Sequence, residues 1–413
     1  MKKILKSKMF YLLLSIVALL LIGVFYWDID TIIRYGLYVD KQGKSLPEKY
    51  RVELPIAMDG NWFIIPAYVN GQSVSFVMDT HAQTMAAPSI VERLHLKPWN
   101  CRPRKLTNAL GKTQYFPFFQ SDSMRIQSLN LSRPLILGVP SDNYISQIAA
   151  MPVLGFDVLG LLRWKFDMDR QKMILFSQQD EDELKVQTNG FTRIVDGIDG
   201  KSSFKIHSSS ISFDAELDTG SANDIKVGNT TFAALSQQLP YRTYLKAKGD
   251  TECDTIHLFH GVTVDWGGLT VPDCDILHTS SLRDDNLFGA LFMQRFNFVL
   301  AYGNSGGDLY VKPVTSYRPK PYLASILKFG FALKKGADGH IMIKSIEREG
   351  FCESAGLKLR DKVVSIDHGA FDLISDGLSD RLNEYVQDRE SLELVVEREG
   401  RLIEFAIPLV CKD

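Results

Sequence analysis

The sequence predicts a mainly β protein: two related β-rich halves that form one unit, a smaller α+β unit behind them, and an apolar helix in front. Three observations carry that reading. Asn61 to Val69, Ser73 to Met78 and Phe204 to Leu217 alternate apolar with polar residues or run through β-branched and aromatic ones, separated by Asn-Gly, Leu-Gly-Lys and Asp-Gly turn signals. The pattern around Asp79 returns around Asp218, and a repeat of that kind sets an architecture. After Pro313, prolines at 319 and 321 stiffen a connector that leads into a third section with strands and a helix of its own.

At 413 residues, and about 100–200 per domain, the chain has room for two to four domains, which excludes a single small module. Lys plus Arg number 47 against 49 for Asp plus Glu, a net charge of −2. No cationic excess is left for a phosphate backbone, so no nucleic-acid partner is expected. Five cysteines (Cys101, Cys253, Cys274, Cys352, Cys411) are too few for a disulfide scaffold and include no C-x-x-C pair suited to zinc.

Residues 1–28 read as a cytoplasmic tail and membrane anchor. Met9 to Trp27 form an unbroken run without a charge, close in length to the roughly 20 residues needed to cross a bilayer. Lys2, Lys3, Lys6 and Lys8 precede them and hold that end in the cytoplasm, sending the rest outward. The run ends in Phe25, Tyr26 and Trp27 without a small-x-small cleavage pattern, which favours an uncleaved anchor over a signal peptide. The expected location is the inner (cytoplasmic) membrane of a bacterium, single-pass, with the bulk of the chain facing the periplasm or cell exterior. Residues 29–47 form a linker, 48–183 a first lobe and 184–315 a second lobe, with short helices expected at Pro88 to Leu96 and Thr231 to Gln238. Residues 325–411 form the third unit: Phe329-Gly330-Phe331-Ala332, a strand from His340 to Glu347, a helix from about Gly377 to Tyr385, and strands Leu392 to Arg398 and Leu402 to Pro408.

Each half repeats the same chemistry-bearing elements. Phe76-Val77-Met78-Asp79-Thr80-His81-Ala82 answers to Ala215-Glu216-Leu217-Asp218-Thr219-Gly220-Ser221, and Pro152-Val153-Leu154-Gly155 answers to Asn286-Leu287-Phe288-Gly289. Gly155 follows Asp79 at nearly the same interval as Gly289 follows Asp218. Two carboxylates brought together across a pseudo-twofold axis share one proton, because like charges about 3 Å apart cannot both ionise. One then acts as base on a water while its partner protonates a carbonyl oxygen. A Thr after each Asp can brace the two loops across the axis, and a Gly lets the backbones approach.

On these motifs, residues 48–315 resemble a two-lobed aspartic protease of the pepsin and retropepsin type, nearest in length to two retropepsin subunits fused in tandem. The resemblance implies an endopeptidase without a cofactor or metal, acting on a polypeptide substrate through Asp79 and Asp218. Thr80, Thr219, Gly220, Ser221, Gly155 and Gly289 would support the dyad. A hairpin from about Leu106 to Phe118 would be the flap, with Tyr115 as its aromatic residue. One position departs from the pattern: His81 stands where the motif has Gly. A side chain there could crowd the axis, tilt the loop, or lower the pKa of Asp79 as a nearby cation. Retained activity is favoured because both carboxylates and both threonines are present, and the alternative is an impaired peptide-binding scaffold.

Gly303-Asn304-Ser305-Gly306-Gly307 matches the nucleophile segment of trypsin-like serine proteases, which opens a second alternative through Ser305. The required His and Asp contexts are missing, so a hairpin turn is preferred. The third unit resembles a PDZ domain of the exported bacterial sort, carried by Phe329, Gly330, Phe331, Ala332 and by Ser354-Ala355-Gly356-Leu357 before Asp361, with Arg360 replacing a common Gly. That resemblance implies capture of a C-terminal peptide by strand addition. His257 and His260 lack carboxylate partners of a metal motif. Cys253 and Cys274, both in the second lobe, form a candidate disulfide.

Overall fold

A computed structural model describes residues 33–408 except 40, 44–45, 108–112, 142–150, 195–202, 209, 249–251, 281–284, 304–305, 316, 318–323, 336–338 and 374–377. The expected anchor at 9–27, Ser305 and Cys411 therefore lie outside the described residues. Among the described residues, no helix is long and apolar enough to cross a membrane.

Alternation drives the strands that lead to the two Asp-Thr motifs. In Gln72–Met78 the side chains of Val74, Phe76 and Met78 face inward. In Ile211–Asp218 the inward set is Phe213, Ala215 and Leu217. Each strand thus buries one face and leaves its C-terminal Asp at the sheet end. Beside each lies a short, largely buried strand: Val153–Leu154 pairs in parallel with Val77 and Met78, and Leu287–Gly289 pairs in parallel with Glu216 to Asp218. Both short strands then pair antiparallel on their other side, with Met85 and with Ile225 and Lys226 respectively.

The halves join in a six-stranded sheet ordered Arg51–Pro55, Lys172–Ser177, Leu162–Asp167, Phe296–Gly303, Gly306–Pro313, Thr192–Ile194. Its centre is the antiparallel pairing of Arg163, Trp164, Lys165 and Phe166 with Ala301, Leu300, Val299 and Phe298. Each lobe contributes one hairpin and one outer strand, so the order is the same read from either edge. Phe166 stacks on Phe298 with ring centroids 4.4 Å apart, and Phe63 packs against both. One continuous apolar core therefore runs through both lobes.

The expected helices appear slightly shifted, as Pro88–Arg93 and Asn229–Leu235. A further helix, Glu181–Gln187, starts where Asp180 caps the Glu183 amide. The residues read as a linker are partly seated on the first lobe. Residues 33–39 are helical, Tyr35 is buried against Phe118, and its hydroxyl donates to Asp157 Oδ2 at 2.7 Å.

The third unit has its own core, from Phe329 and Phe331 through Ile343 and Leu382 to Ile407. Its strands are Phe331–Lys335, Ile341–Glu347, Lys362–Ile366, Ser391–Arg398 and Arg401–Pro408, with helices Ala324–Phe329, Phe351–Ser354 and Leu378–Tyr385. Arg360 sits at φ +70°, in the left-handed region that explains why Gly suits that position. This unit is joined edge-on to the second lobe. Tyr244, Leu245 and Lys246 of strand Arg242–Lys248 pair antiparallel with Glu347, Ile346 and Ser345, making one sheet across the junction.

Cys253 and Cys274 are both free thiols, which corrects the candidate disulfide. Cys253 pairs in register with Ala247 near a hairpin tip, whereas Cys274 pairs with Val262, much further along the same strand. At strand spacing that is roughly 30 Å, against the Cα separation of about 7 Å that a disulfide can span.

Candidate active site

The two Asp-Thr loops interlock. Thr80 Oγ1 donates to Leu217 O at 2.8 Å, and Thr219 Oγ1 donates to Met78 O at 3.0 Å. In return each hydroxyl accepts the other threonine's amide, Thr80 N to Thr219 Oγ1 and Thr219 N to Thr80 Oγ1, both at 3.1 Å. Each hydroxyl thus spends its donor and an acceptor across the axis in buried surroundings, so the register of the two loops is fixed to within a hydrogen bond.

This interlock brings the carboxyl groups of Asp79 and Asp218 against each other. Asp79 Oδ1 accepts the amides of His81 and Ala82 at 2.8 Å each, and Asp218 Oδ1 accepts the Gly220 amide at 3.0 Å. Burial raises the pKa of Asp79, and the neighbouring Asp218 charge raises it further, while the two amides pull it back. Burial also raises Asp218, opposed by the charges of His81 and Lys226. Two carboxyls held together with raised affinity for protons share one proton, which leaves one carboxylate as a base and one carboxyl as an acid.

His81 does not crowd the axis. Its side chain is half exposed and crosses to the other lobe, where Nδ1 lies 3.1 Å from Glu216 Oε2. The electrostatic effect foreseen on Asp79 falls on Asp218 instead, because the imidazole reaches over the axis. Neither His81 nor Gly220 has a positive φ, so backbone conformation does not require glycine at either place. Space does at Gly220: a Cβ there would stand 2.2 Å from Asp79 Oδ2 and 2.4 Å from its Cγ. Gly220→Ala should therefore displace the Asp79 carboxyl and lower kcat/KM by about 100-fold, the effect of a misplacement near 1 Å. His81→Gly should leave turnover close to that of the unaltered protein. Peptide hydrolysis by the two variants, beside thermal melts, checks both statements.

Gly155 and Gly289 serve close approach as well. A Cβ on Gly155 would meet the Gln83, Ala82 and Thr84 backbone at 2.2–2.4 Å, and one on Gly289 would meet the Asn223 and Ser221 carbonyls at 2.4 Å. The segments after them lock the loops: Phe156 N donates to Ala82 O at 2.9 Å and Ala290 N to Ser221 O at 2.8 Å.

Several supporting residues escaped the sequence reading. In the first lobe Asp157 Oδ1 accepts both Thr84 N at 2.8 Å and Thr84 Oγ1 at 2.7 Å. The second lobe has a buried ion pair of its own: Arg295 Nη2 donates to Asp224 Oδ2 at 2.6 Å, with Asp224 only 1% and Arg295 only 7% exposed. Trp62 Nε1 donates across the lobes to Gly220 O at 2.8 Å, and Asn61 Nδ2 to Ala222 O at 2.9 Å. A partner so distant in sequence leaves no local mark, so nothing around Trp62 could have announced the contact. The only signal for Asp224 and Arg295 was their position shortly after each repeated motif.

The flap expected in the first lobe is a two-stranded hairpin, Arg104–Thr107 with Thr113–Phe116, whose tip lies outside the described residues. Tyr115 is exposed on it, on the face opposite Gln114 and Phe116. A second hairpin of the same kind, Arg242–Lys248 with Glu252–Trp266, occupies the second lobe and bears the third unit on its edge.

At Phe329 to Ala332 the structure buries both phenyl rings, and Gly330 has φ +73°. The Gly330 amide donates to Ile326 O at 3.1 Å, so this backbone donor of the stretch that carries the PDZ resemblance is already used within the chain. The residues flanking Ser305 form the expected hairpin, Phe296–Gly303 with Gly306–Pro313.

Comparison with known proteins bears on the first lobe. Residues 65–158, which hold Asp79 and Gly155, match a family model described as aspartyl protease. The match supports an aspartic protease. A solved retropepsin-like aspartic protease from Rickettsia conorii is similar at 20% identity and TM-score 0.25, covering 31% of this chain and 93% of that one. No curated protein matches.

Proposed function

We propose that the chain is a membrane-anchored aspartic endopeptidase that cleaves polypeptides outside the cytoplasm. The observation that carries this reading is the pair of interlocked Asp-Thr loops with their carboxyls in contact. An extended peptide lies between the lobes under the two hairpins. The ionised member of the dyad takes a proton from water, the water oxygen attacks the scissile carbonyl carbon, and the protonated member donates to the carbonyl oxygen. The resulting tetrahedral species collapses as the amide nitrogen is protonated and leaves. Residues 9–27 are the anchor. The third unit is a PDZ-type recognition module: strand Phe331–Lys335 pairs among the described residues with Ile341–Glu347 alone, and helix Leu378–Tyr385 packs beside it, an arrangement suited to strand addition.

The pH profile follows from the dyad. The working form holds one proton across the pair, and both carboxyls bind protons more tightly than a free Asp of pKa about 3.9. The alkaline limb is therefore displaced upward: turnover persists above the usual carboxylate range and falls when the shared proton is lost. The test is hydrolysis of a denatured protein by the full chain in detergent, with kcat/KM followed against pH and with a statine-containing inhibitor. A bell-shaped, statine-blocked activity is expected. No hydrolysis, or activity that climbs steadily into alkaline pH, would overturn the reading.

A further inference from the structure

The junction between the second hairpin and the third unit gathers positive charge. Lys246, on strand Arg242–Lys248, pairs with Ser345. The residue before Ser345 is Lys344, and the register of its strand against Phe331–Lys335 slips at that point: Ala332 faces Ser345 while Leu333 faces Ile343. Lys344 is thus the extra residue of a β-bulge, a device that re-aims a side chain. Lys334 pairs with Met342 on the neighbouring strand. Further in, Lys226 lies on Ile225–Val227, next to the strand that pairs with Asp218. Lys226, Lys246 and Lys344 are half-buried and Lys334 is exposed.

The charges that act on these side chains link them in sequence. Lys226 feels Asp218, Lys246 and Asp254; Lys246 feels Asp254 and Lys334; Lys344 feels Lys246 and Lys334. Burial, with those two lysines adding to it, holds the Lys344 ammonium down to about 8. The carboxylate nearest this group in register is Asp254, opposite Lys246. It also accepts Thr279 Oγ1 at 3.3 Å and Ser280 Oγ at 3.2 Å, and its one charge, with that of Asp218 beside Lys226, leaves the four lysines in cationic excess. Like charges drawn together in partly desolvated surroundings cost free energy unless an anion joins them, and low-dielectric walls strengthen that attraction.

We propose that Lys226, Lys246, Lys334 and Lys344 form a carboxylate-binding track that receives acidic side chains of the peptide, leading from the second hairpin toward Asp218. This rests on the peptidase reading, and it names the substrate class: polypeptides with Asp or Glu on one side of the scissile bond. The hairpin supplies Lys246 and the third unit supplies Lys334 and Lys344, so the strand pairing at 244–246 with 345–347 is what completes the track.

Binding rather than turnover tests the proposal, so a failed hydrolysis assay would count against the peptidase and leave this result standing. The full chain carrying Asp79→Asn, in detergent, is titrated against three fluorescein-labelled decapeptides: Glu-rich with an amidated C-terminus, Gln-rich and amidated, and Gln-rich with a free C-terminus. At low salt the amidated Glu peptide should bind about 10-fold tighter than the amidated Gln peptide, and the advantage should shrink as salt screens it. Lys246→Gln with Lys344→Gln should remove the advantage, while Lys344→Arg should keep it; melting curves show that each variant is folded. Equal binding of the amidated Glu and Gln peptides would overturn the proposal. So would a Glu advantage that survives the double variant, or an advantage confined to the free C-terminus.

Discussion

Asp218→Asn should abolish peptide hydrolysis while making the protein more stable at neutral pH. An amide can neither accept the proton from water nor share one with Asp79, so kcat should fall by about 10⁴-fold or more, the combined loss of acid and base catalysis. The stability change follows from the direction of the pKa shifts. Both carboxyls have folded-state values raised above the ordinary one. The folded state therefore holds more protons than the unfolded chain once pH exceeds about 4, and stability falls as pH rises through the window up to the raised values. Asn removes that cost, so the variant should melt higher than the parent at pH 7 and equally at pH 3. Thermal melts at the two pH values, beside turnover, give the result; a variant that still hydrolyses peptide as fast as the parent would remove Asp218 from the dyad.

Arg295→Met should be the most destabilising single change in the second lobe. Arg295 fills the space behind the Asp218 loop, donating to Asp224 Oδ2 at 2.6 Å, Asp273 O at 2.8 Å and Pro272 O at 3.2 Å. Burial already pushes the Asp224 carboxyl up, and the guanidinium is the first of the groups that pull it back. Removing one partner strands the other, and breaking a buried pair of this kind costs about 3–5 kcal/mol. The loss should show in urea unfolding. Asp224→Leu combined with Arg295→Met should recover a good part of it, because an apolar pair leaves no buried charge. Activity of the single variant should fall too, since Asp224 O accepts the Gly289 amide at 2.8 Å and so ties the loop to the strand beside Asp218.

The strands were legible because their alternation is local: inward Val74, Phe76, Met78 and inward Phe213, Ala215, Leu217 can be read within a single strand each. The repeat placed Asp79 and Asp218 in equivalent positions, and the chemistry of like carboxylates did the rest. In the third unit three strands and the helix ending at Tyr385 were legible, with boundaries displaced by a residue or so, whereas strands Phe331–Lys335 and Lys362–Ile366 were not. The candidate disulfide was not sound, because spacing along the chain says nothing about register: Cys253 and Cys274 lie on paired strands but far apart along them.

What this sequence determines by itself is the pair of Asp-Thr motifs, the strands that deliver them, and the glycines that stand where backbones must nearly touch. Tertiary structure alone decides how those parts meet. His81 is harmless to the axis because Glu216 of the opposite lobe draws its ring aside. Gly220 is constrained by the carboxyl of Asp79, which belongs to the opposite lobe. Lys246 gains Lys344 as a neighbour through strand pairing between the second lobe and the third unit. Propensity and alternation act over a few residues, whereas sterics and Coulomb forces act through space, so the site's shape and charge exist only once the lobes and the third unit are in contact.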